Sequence, residues 1–183
     1  MRELALHILD IAENSISAGA KNVTINIFEN SNTDLLQIEV IDDGRGMTKE
    51  MANKVIDPFI TSRTTRKVGL GIPLLKEAAE ACKGSLQLKS ELGKGTSLSV
   101  VFQRSHIDRM PLGDVPSTFL NLLVSNPNVH WVFRYQANEK EFLFDDIEVK
   151  KAVEDVPLTE PEVLKVIREI FETGIADLII GND

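Results

Sequence analysis

Apolar residues recur along the first twenty positions in a helical rhythm. Leu4, Ile8, Ile11 and Ser15 keep the i, i+4, i+3 spacing, widened by Ala5, Ala12 and Ile16, which predicts a long amphipathic helix over 2–20. Its other edge carries Glu3, His7, Asp10, Asn14 and Ser17 in one narrow band. Asp10 and Asn14 are therefore stacked neighbours, an acid and an amide aimed the same way. Such a band is either a solvated face or one wall of a polar pocket.

Alternation then replaces the helical period. Val23, Ile25 and Ile27 mark a strand over 23–28, and Leu36, Ile38 and Val40 a second over 35–41, with the turn cluster 30–34 between them. Asp42 continues the buried parity of the second strand, and burying an acid without a partner is costly, so a partner is expected. A short helix over 48–55 is capped by Thr48, with Met51, Ala52 and Val55 inward, and Asp57-Pro58-Phe59 stops it. The stretch 60–67 is a polar loop with three cations and four hydroxyls. Gly69-Leu70-Gly71 opens a helix running to about Lys83, with Pro73 in its first turn, Leu74, Leu75, Ala78, Ala79 and Cys82 inward, and Gly84 as its cap. Strands over 85–91 and 97–102 follow, joined by a turn through Gly93 and Gly95.

Beyond residue 103 the pattern changes. Residues 104–116 read as a linker and 118–124 as a short apolar helix. The stretch 129–136, with Val129, Trp131, Phe133 and Tyr135 on one face, pairs with 141–144 as a hairpin. A short helix over 146–153 and a capped helix from Thr159 through Phe171, with Val163, Val166, Ile167 and Ile170 inward, complete a small C-terminal module over 117–183. Its aromatic face reads as a small core that packs on something: the rest of the chain, a second subunit or a partner.

Composition narrows the classes. A net charge of −8 without a dense basic run argues against free binding to nucleic acid. No apolar stretch is long enough for a membrane span and no export signal is visible, and Cys82 is the lone cysteine, so a cytoplasmic protein is expected. His106 and His130 have no partner spacing that points to metal or catalysis.

The chemistry sits in short motifs. Asp42-Asp43-Gly44-Arg45-Gly46-Met47 is either an ordinary turn or a glycine bend that lets backbone approach a flat ligand while a buried acceptor takes a hydrogen bond. An exocyclic amine such as that of adenine suits an acceptor-only group. The Gly69–Gly71 pair at a helix start presents free N–H groups and the positive dipole end to an anion. The cationic 60–67 loop reads as either solvated or a lid over phosphates.

In this order, the helix with Asn14, then Asp42-x-Gly-x-Gly, Pro58-Phe59, Gly69-x-Gly71 and Gly93-x-Gly-Thr96 resembles the boxes of the GHKL ATPases, over residues 1–103. That superfamily includes type II topoisomerases, a heat-shock chaperone, histidine kinases and DNA mismatch-repair ATPases. Glu13 to Lys21 looks closest to the mismatch-repair version, and Gly69 to Phe102 to a histidine-kinase catalytic domain.

The resemblance implies a Bergerat-type two-layer α/β sandwich binding ATP and Mg²⁺. It implies Asn14 as the Mg²⁺ ligand, Asp42 as acceptor of the adenine amine, and Thr96 supporting it through water. Gly44, Gly46 and Met47 would line base and ribose, while Gly69, Leu70, Gly71 and Lys67 meet the phosphates. Where hydrolysing members carry a glutamate as general base, this chain has Asp10, one methylene shorter; Glu13 lies about 100° around the helix and is the poorer candidate. ATP hydrolysis and phosphate transfer to a protein partner, as in stand-alone serine kinases, both stay open. So does a non-catalytic nucleotide switch acting through the C-terminal module. With the chain starting at its first helix, no phospho-accepting helical hairpin is expected before it. His7 reads as a supporting or solvent-exposed residue rather than a phosphoacceptor. A homodimer is compatible with all three readings.

Overall fold

The alternating segments build one sheet. The structure, a computed structural model, describes residues 3–57, 71–154 and 156–179. Helix α1 (Leu4–Ser17) leads into β1 (Asn22–Asn30) and β2 (Leu35–Asp42), then α2 (Lys49–Ile56), α3 (Gly71–Ala81), β3 (Ser85–Glu91) and β4 (Gly95–Gln103). After these come α4 (Val115–Ser125), β5 (His130–Ala137), β6 (Lys140–Asp145), α5 (Asp146–Val153) and α6 (Pro161–Ile179).

The strands lie in the order β3-β4-β2-β1-β5-β6. Every neighbouring pair is antiparallel except β1 and β5, which run parallel with Ile25 opposite Phe133. The expected C-terminal hairpin therefore packs on the N-terminal segment by extending its sheet.

Period-two alternation decides the layers. Val23, Ile25 and Ile27, Leu36, Ile38 and Val40, Leu98, Val100 and Phe102, and Trp131, Phe133 and Tyr135 form one buried face. The inward stripes of α1, α3, α4 and α6 cover it in a single core. The opposite face is polar, with Asn26 donating to Glu39 and Gln37 to Ser99 across the strands. This is the expected α/β sandwich.

The aromatic face expected in the C-terminal part is a buried cluster. Phe119 of α4 stacks against Phe133 at 5.2 Å and against Phe171 of α6 at 4.8 Å. Helix α6 runs past the expected end at Phe171, because Ile167, Phe171, Ile175 and Leu178 carry the helical spacing through Gly174. That glycine is needed where it stands: a Cβ there would overlap the Phe142 ring.

Several faces differ from expectation. Leu74, Val166 and Ile170 are exposed, since the burying stripes of their helices centre on Leu75 and Ala79 and on Ile167 and Phe171. Met51 is also exposed; at the start of α2 it lies against a cavity rather than the core. Helix α4 begins at Val115, inside the expected linker, because Asp114 caps it by accepting from Ser117 N and Pro116 suits its first turn. At the end of α3 the left-handed residue is Lys83 (φ 56), not Gly84. Gly84 is instead the residue whose Cβ would overlap the Val101 carbonyl.

Candidate functional site

The last buried position of β2 is an acid. Asp42 is 9% exposed and faces the helical layer, as its parity with Val40 predicts. Ser15 Oγ of α1 donates to its Oδ2 at 2.6 Å, and Gly44 N to its Oδ1 at 2.9 Å. Ser15 also lies 3.3 Å from the Ile11 carbonyl, but it has one proton, and the short charge-assisted bond takes it. A carboxylate offers about four lone-pair positions, so two acceptor positions remain.

Glycines bring the backbone to this acid. Gly46 (φ 62) and Gly95 (φ 108) are left-handed, and a Cβ on either would overlap backbone, that of Glu91 and Asp42 respectively. The 43–47 loop can therefore lie flat on the β3–β4 hairpin, with Gly93 N donating to the Arg45 carbonyl at 2.7 Å. Gly44 is buried against Ala18. Asp43 points the other way and clamps the turn before β1, accepting from Lys21 N, Asn22 N and Asn22 Nδ2. Burial pushes its carboxyl up, but those donors outweigh it and hold it below the usual range.

Thr96 stands opposite Asp42 in the β2–β4 register. Its hydroxyl is 2.9 Å from Ser90 Oγ, which also lies 3.0 Å from the Gly95 carbonyl and 2.8 Å from Met47 N. A carbonyl can only accept, so the Ser90 proton goes to Gly95. Thr96 then donates to Ser90 and keeps its own lone pairs free.

These residues border a cavity of about 230 Å³ with Asp42, Thr96 and Asn14 as polar points and Ile11, Val40, Met47, Met51, Ile72 and Leu98 among its apolar walls. The volume is below that of a typical small-molecule pocket, roughly 300–1,000 Å³, and suits one flat ring with the rest of the ligand outside. Asn14 is exposed at the rim, one turn beyond Asp10.

Asp10 does not line the cavity. It is half-buried and lies against Gly71, the first residue of α3, where a Cβ would overlap its Oδ2. His7, one turn earlier, is 3% exposed, so it is neither a solvent-exposed residue nor placed to accept a phosphate. Burial holds its imidazole below the ordinary range, and the charge of Asp10 draws it partly back up.

Of the residues singled out in the sequence, Asn14, Asp42, Gly46, Met47 and Thr96 meet at one cavity, Gly44 supports Asp42, and Asp10 and Gly71 meet beside it. Pro58, Phe59, the 60–67 loop with Lys67, Gly69 and Leu70 lie outside the described residues. Sequence reasoning missed Ser15, which looked like an ordinary member of an inward stripe, and Ser90, for which no signal existed. It also gave His130 no partner. Across the β5–β6 hairpin, His130 meets Asp145 and Asp146 in a group with metal-ligand spacing.

Comparison with known proteins identifies the family. The family described as "Histidine kinase-, DNA gyrase B-, and HSP90-like ATPase" matches residues 2–106. The sensor histidine kinase WalK of Bacillus subtilis is 35% identical over 103 residues, covering 50% of this chain and 17% of that protein. The DNA mismatch repair protein MutL of Dictyoglomus turgidum is 33% identical over 101 residues, covering 50% of this chain and 17% of that protein. A probable C4-dicarboxylate sensor kinase of Halalkalibacterium halodurans is 28% identical over 102 residues, covering 54% and 19%. The chain thus spans less than a fifth of the length of these relatives. Among solved structures, the Aquifex aeolicus MutL ATPase domain complexed with ADP shares the fold at a TM-score of 0.51 and 14% identity, covering 94% of this chain and 70% of that one.

Proposed function

Since the chain belongs to the family of histidine kinase-, DNA gyrase B- and HSP90-like ATPases, we propose that it binds Mg-ATP at the Asp42 cavity and hydrolyses it, with Asp10 as general base. The observation that carries this reading is the buried Asp42 carboxylate, with two protein donors and two acceptor positions left at the floor of an apolar slot. An adenine amine is a donor that such a group prefers, and the slot walls offer its faces apolar contact. Thr96, its lone pairs free, accepts from a water beside the ring.

Asn14 would hold a hard cation such as Mg²⁺, its exposed amide offering one oxygen ligand of the kind that ion takes. When bound, Mg²⁺ neutralises charge on the phosphates. Asp10 lies on the same edge of α1 as Asn14, at the start of α3, and takes the proton of the attacking water.

The test follows the γ-phosphate of labelled Mg-ATP. Wild type releases phosphate, Asp10→Asn binds ATP without releasing it, and Asp42→Ala does not bind. Label appearing on an added protein instead would make the chain a kinase. Binding by wild type with neither release nor transfer would favour a second reading, a nucleotide switch. That reading draws on Asn22, which bridges the loop after Asp42 to the C-terminal strands through Asp43 and His130.

A further inference from the structure

His130 opens β5, Asp145 closes β6 and Asp146 opens α5, so the hairpin brings three potential ligand atoms within 4.8 Å of one another. The neighbouring amide orients the imidazole. Asn22 Nδ2 donates to Asp43 Oδ2 at 2.6 Å, which turns Asn22 Oδ1 toward His130 Nδ1 at 3.0 Å. An amide oxygen only accepts, so the ring donates to it through Nδ1–H and turns Nε2 to the carboxylates of the hairpin. Nε2 faces two carboxylate oxygens, Asp145 Oδ1 at 3.0 Å and Asp146 Oδ1 at 3.8 Å. Asp145 Oδ1 also accepts from Ile147 N at 2.9 Å, but Asp146 Oδ1 has no hydrogen-bond donor among the described residues, and a cation would meet that need.

Two cations could answer: a second ring proton or a metal ion. Asp146 discriminates between them. It is 0% exposed, and its Oδ1 takes no hydrogen bond among the described residues. Lys150 Nζ pairs with its other oxygen, Oδ2, at 2.6 Å and is anchored there by donating to the Val129 carbonyl at 2.7 Å. A proton on Nε2 would go to Asp145 at 3.0 Å and leave the buried Asp146 Oδ1 unserved. An ion placed between the three atoms serves all of them.

We propose that His130 Nε2, Asp145 Oδ1 and Asp146 Oδ1 form a binding site for a divalent transition-metal ion of the Zn²⁺ class. Tetrahedral ligands at about 2.0–2.1 Å from the ion stand about 3.4 Å apart, and the observed separations of 3.0 and 3.8 Å lie on either side of that value. One imidazole nitrogen with two carboxylate oxygens suits Zn²⁺ or Mn²⁺ better than Ca²⁺ or Mg²⁺. The Nδ1–H bond to Asn22 is the outer contact that ligating histidines use to hold ring and tautomer. His130 and Asp145 are partly exposed, which leaves an entry path and a fourth position for water. Because Asn22 and Asp43 connect the site to the loop after Asp42, an ion there also stiffens one wall of the nucleotide region.

The test is a Zn²⁺ titration of the full chain by calorimetry at pH 7.5 without nucleotide. Wild type should take up one Zn²⁺ and gain thermal stability. His130→Ala should lose affinity at least tenfold with its circular dichroism unchanged, and His106→Ala should bind as wild type does. If His130→Ala does not fold, Asp145→Ala, at a more exposed position, replaces it with the same expectation. Equal Zn²⁺ affinity in wild type and in the His130 or Asp145 variant would overturn the site. So would a wild type that takes up no Zn²⁺ and whose His130 ring carries protons on both nitrogens by ¹⁵N NMR.

Discussion

Ser15 Oγ and Asp42 Oδ2, 27 positions apart in sequence, are joined by a 2.6 Å hydrogen bond that ties helix α1 to the end of strand β2. The bond does two jobs. It satisfies a buried charge, and it aims the remaining acceptor positions of the carboxylate at the cavity. Ser15→Ala leaves Gly44 N as the hydrogen-bond partner of Asp42 among the described residues. Removing a hydrogen bond to a charged group costs about 1.5–3 kcal/mol. The variant should lose stability of that order in urea unfolding and bind ADP about tenfold more weakly. Unchanged ADP affinity would mean that Asp42 does not hold the base.

If Asp42 holds the base, it also selects which one. A carboxylate accepts from the amine of adenine and repels the carbonyl that guanine places at the same ring position. ATP should therefore bind at least 100-fold more tightly than GTP, about 2.7 kcal/mol, the order of discrimination expected when a buried polar group is left unpaired. Asp42→Asn, whose amide can turn a donor toward the ligand, should narrow the gap to about tenfold. Competition between the two nucleotides for a fluorescent analogue reads both ratios.

Much of this was legible in the sequence, and the reasons are local. The strand parity that runs through Val40 put Asp42 on the buried side before any coordinates, and the burial cost demanded a partner. What parity could not give was the partner: Ser15 sits on a helix stripe where a small residue is ordinary, and only the packing of α1 over β2 brings it to the acid. Non-local strand pairing hid the rest. The alternation of 129–136 was visible, but its parallel pairing with β1 was not, because a parallel partner leaves no turn signal in the sequence. The group at His130 was hidden for another reason: Asp145 and Asp146 come from the far end of the β5–β6 hairpin, too distant in sequence to show as a spacing. On helices, a spacing of three or four residues fixed the stripe to within one position only. That is why the spacing alone places Leu74 inward with Leu75, and Ile170 with Ile167, where the structure exposes both.

Gly71 and Asp10 give a test of the shortened base. A Cβ at Gly71 would overlap Asp10 Oδ2, so the start of α3 approaches α1 closely enough to leave room for the aspartate and no more. Gly71→Ala should displace the carboxylate and, at saturating ATP, lower phosphate release by tenfold or more. Asp10→Glu, which restores the longer acid of hydrolysing relatives, should also slow release, because the added methylene meets Gly71. Faster release by Asp10→Glu would show that the aspartate is a weakened base rather than a fitted one.

His7 sets a pH limit on stability. Its ring is buried, and burial disfavours its charged form, so its protonation in the folded chain lies below the ordinary value of 6.5. As pH falls below 6.5 the unfolded chain takes up a proton that the folded chain still refuses. The unfolded state then binds more protons, and stability drops as pH falls through that window until the folded ring also protonates. His7→Leu removes this contribution and fills the same inward position with an apolar side chain like those of Leu4 and Ile8. Its unfolding free energy should therefore lie above that of wild type, and the difference should grow between pH 7.5 and pH 5.5. The other two histidines are the same in both proteins, so any contribution from them cancels in the comparison. A difference that stays constant or shrinks toward low pH in urea melts would show that His7 is not held neutral by burial.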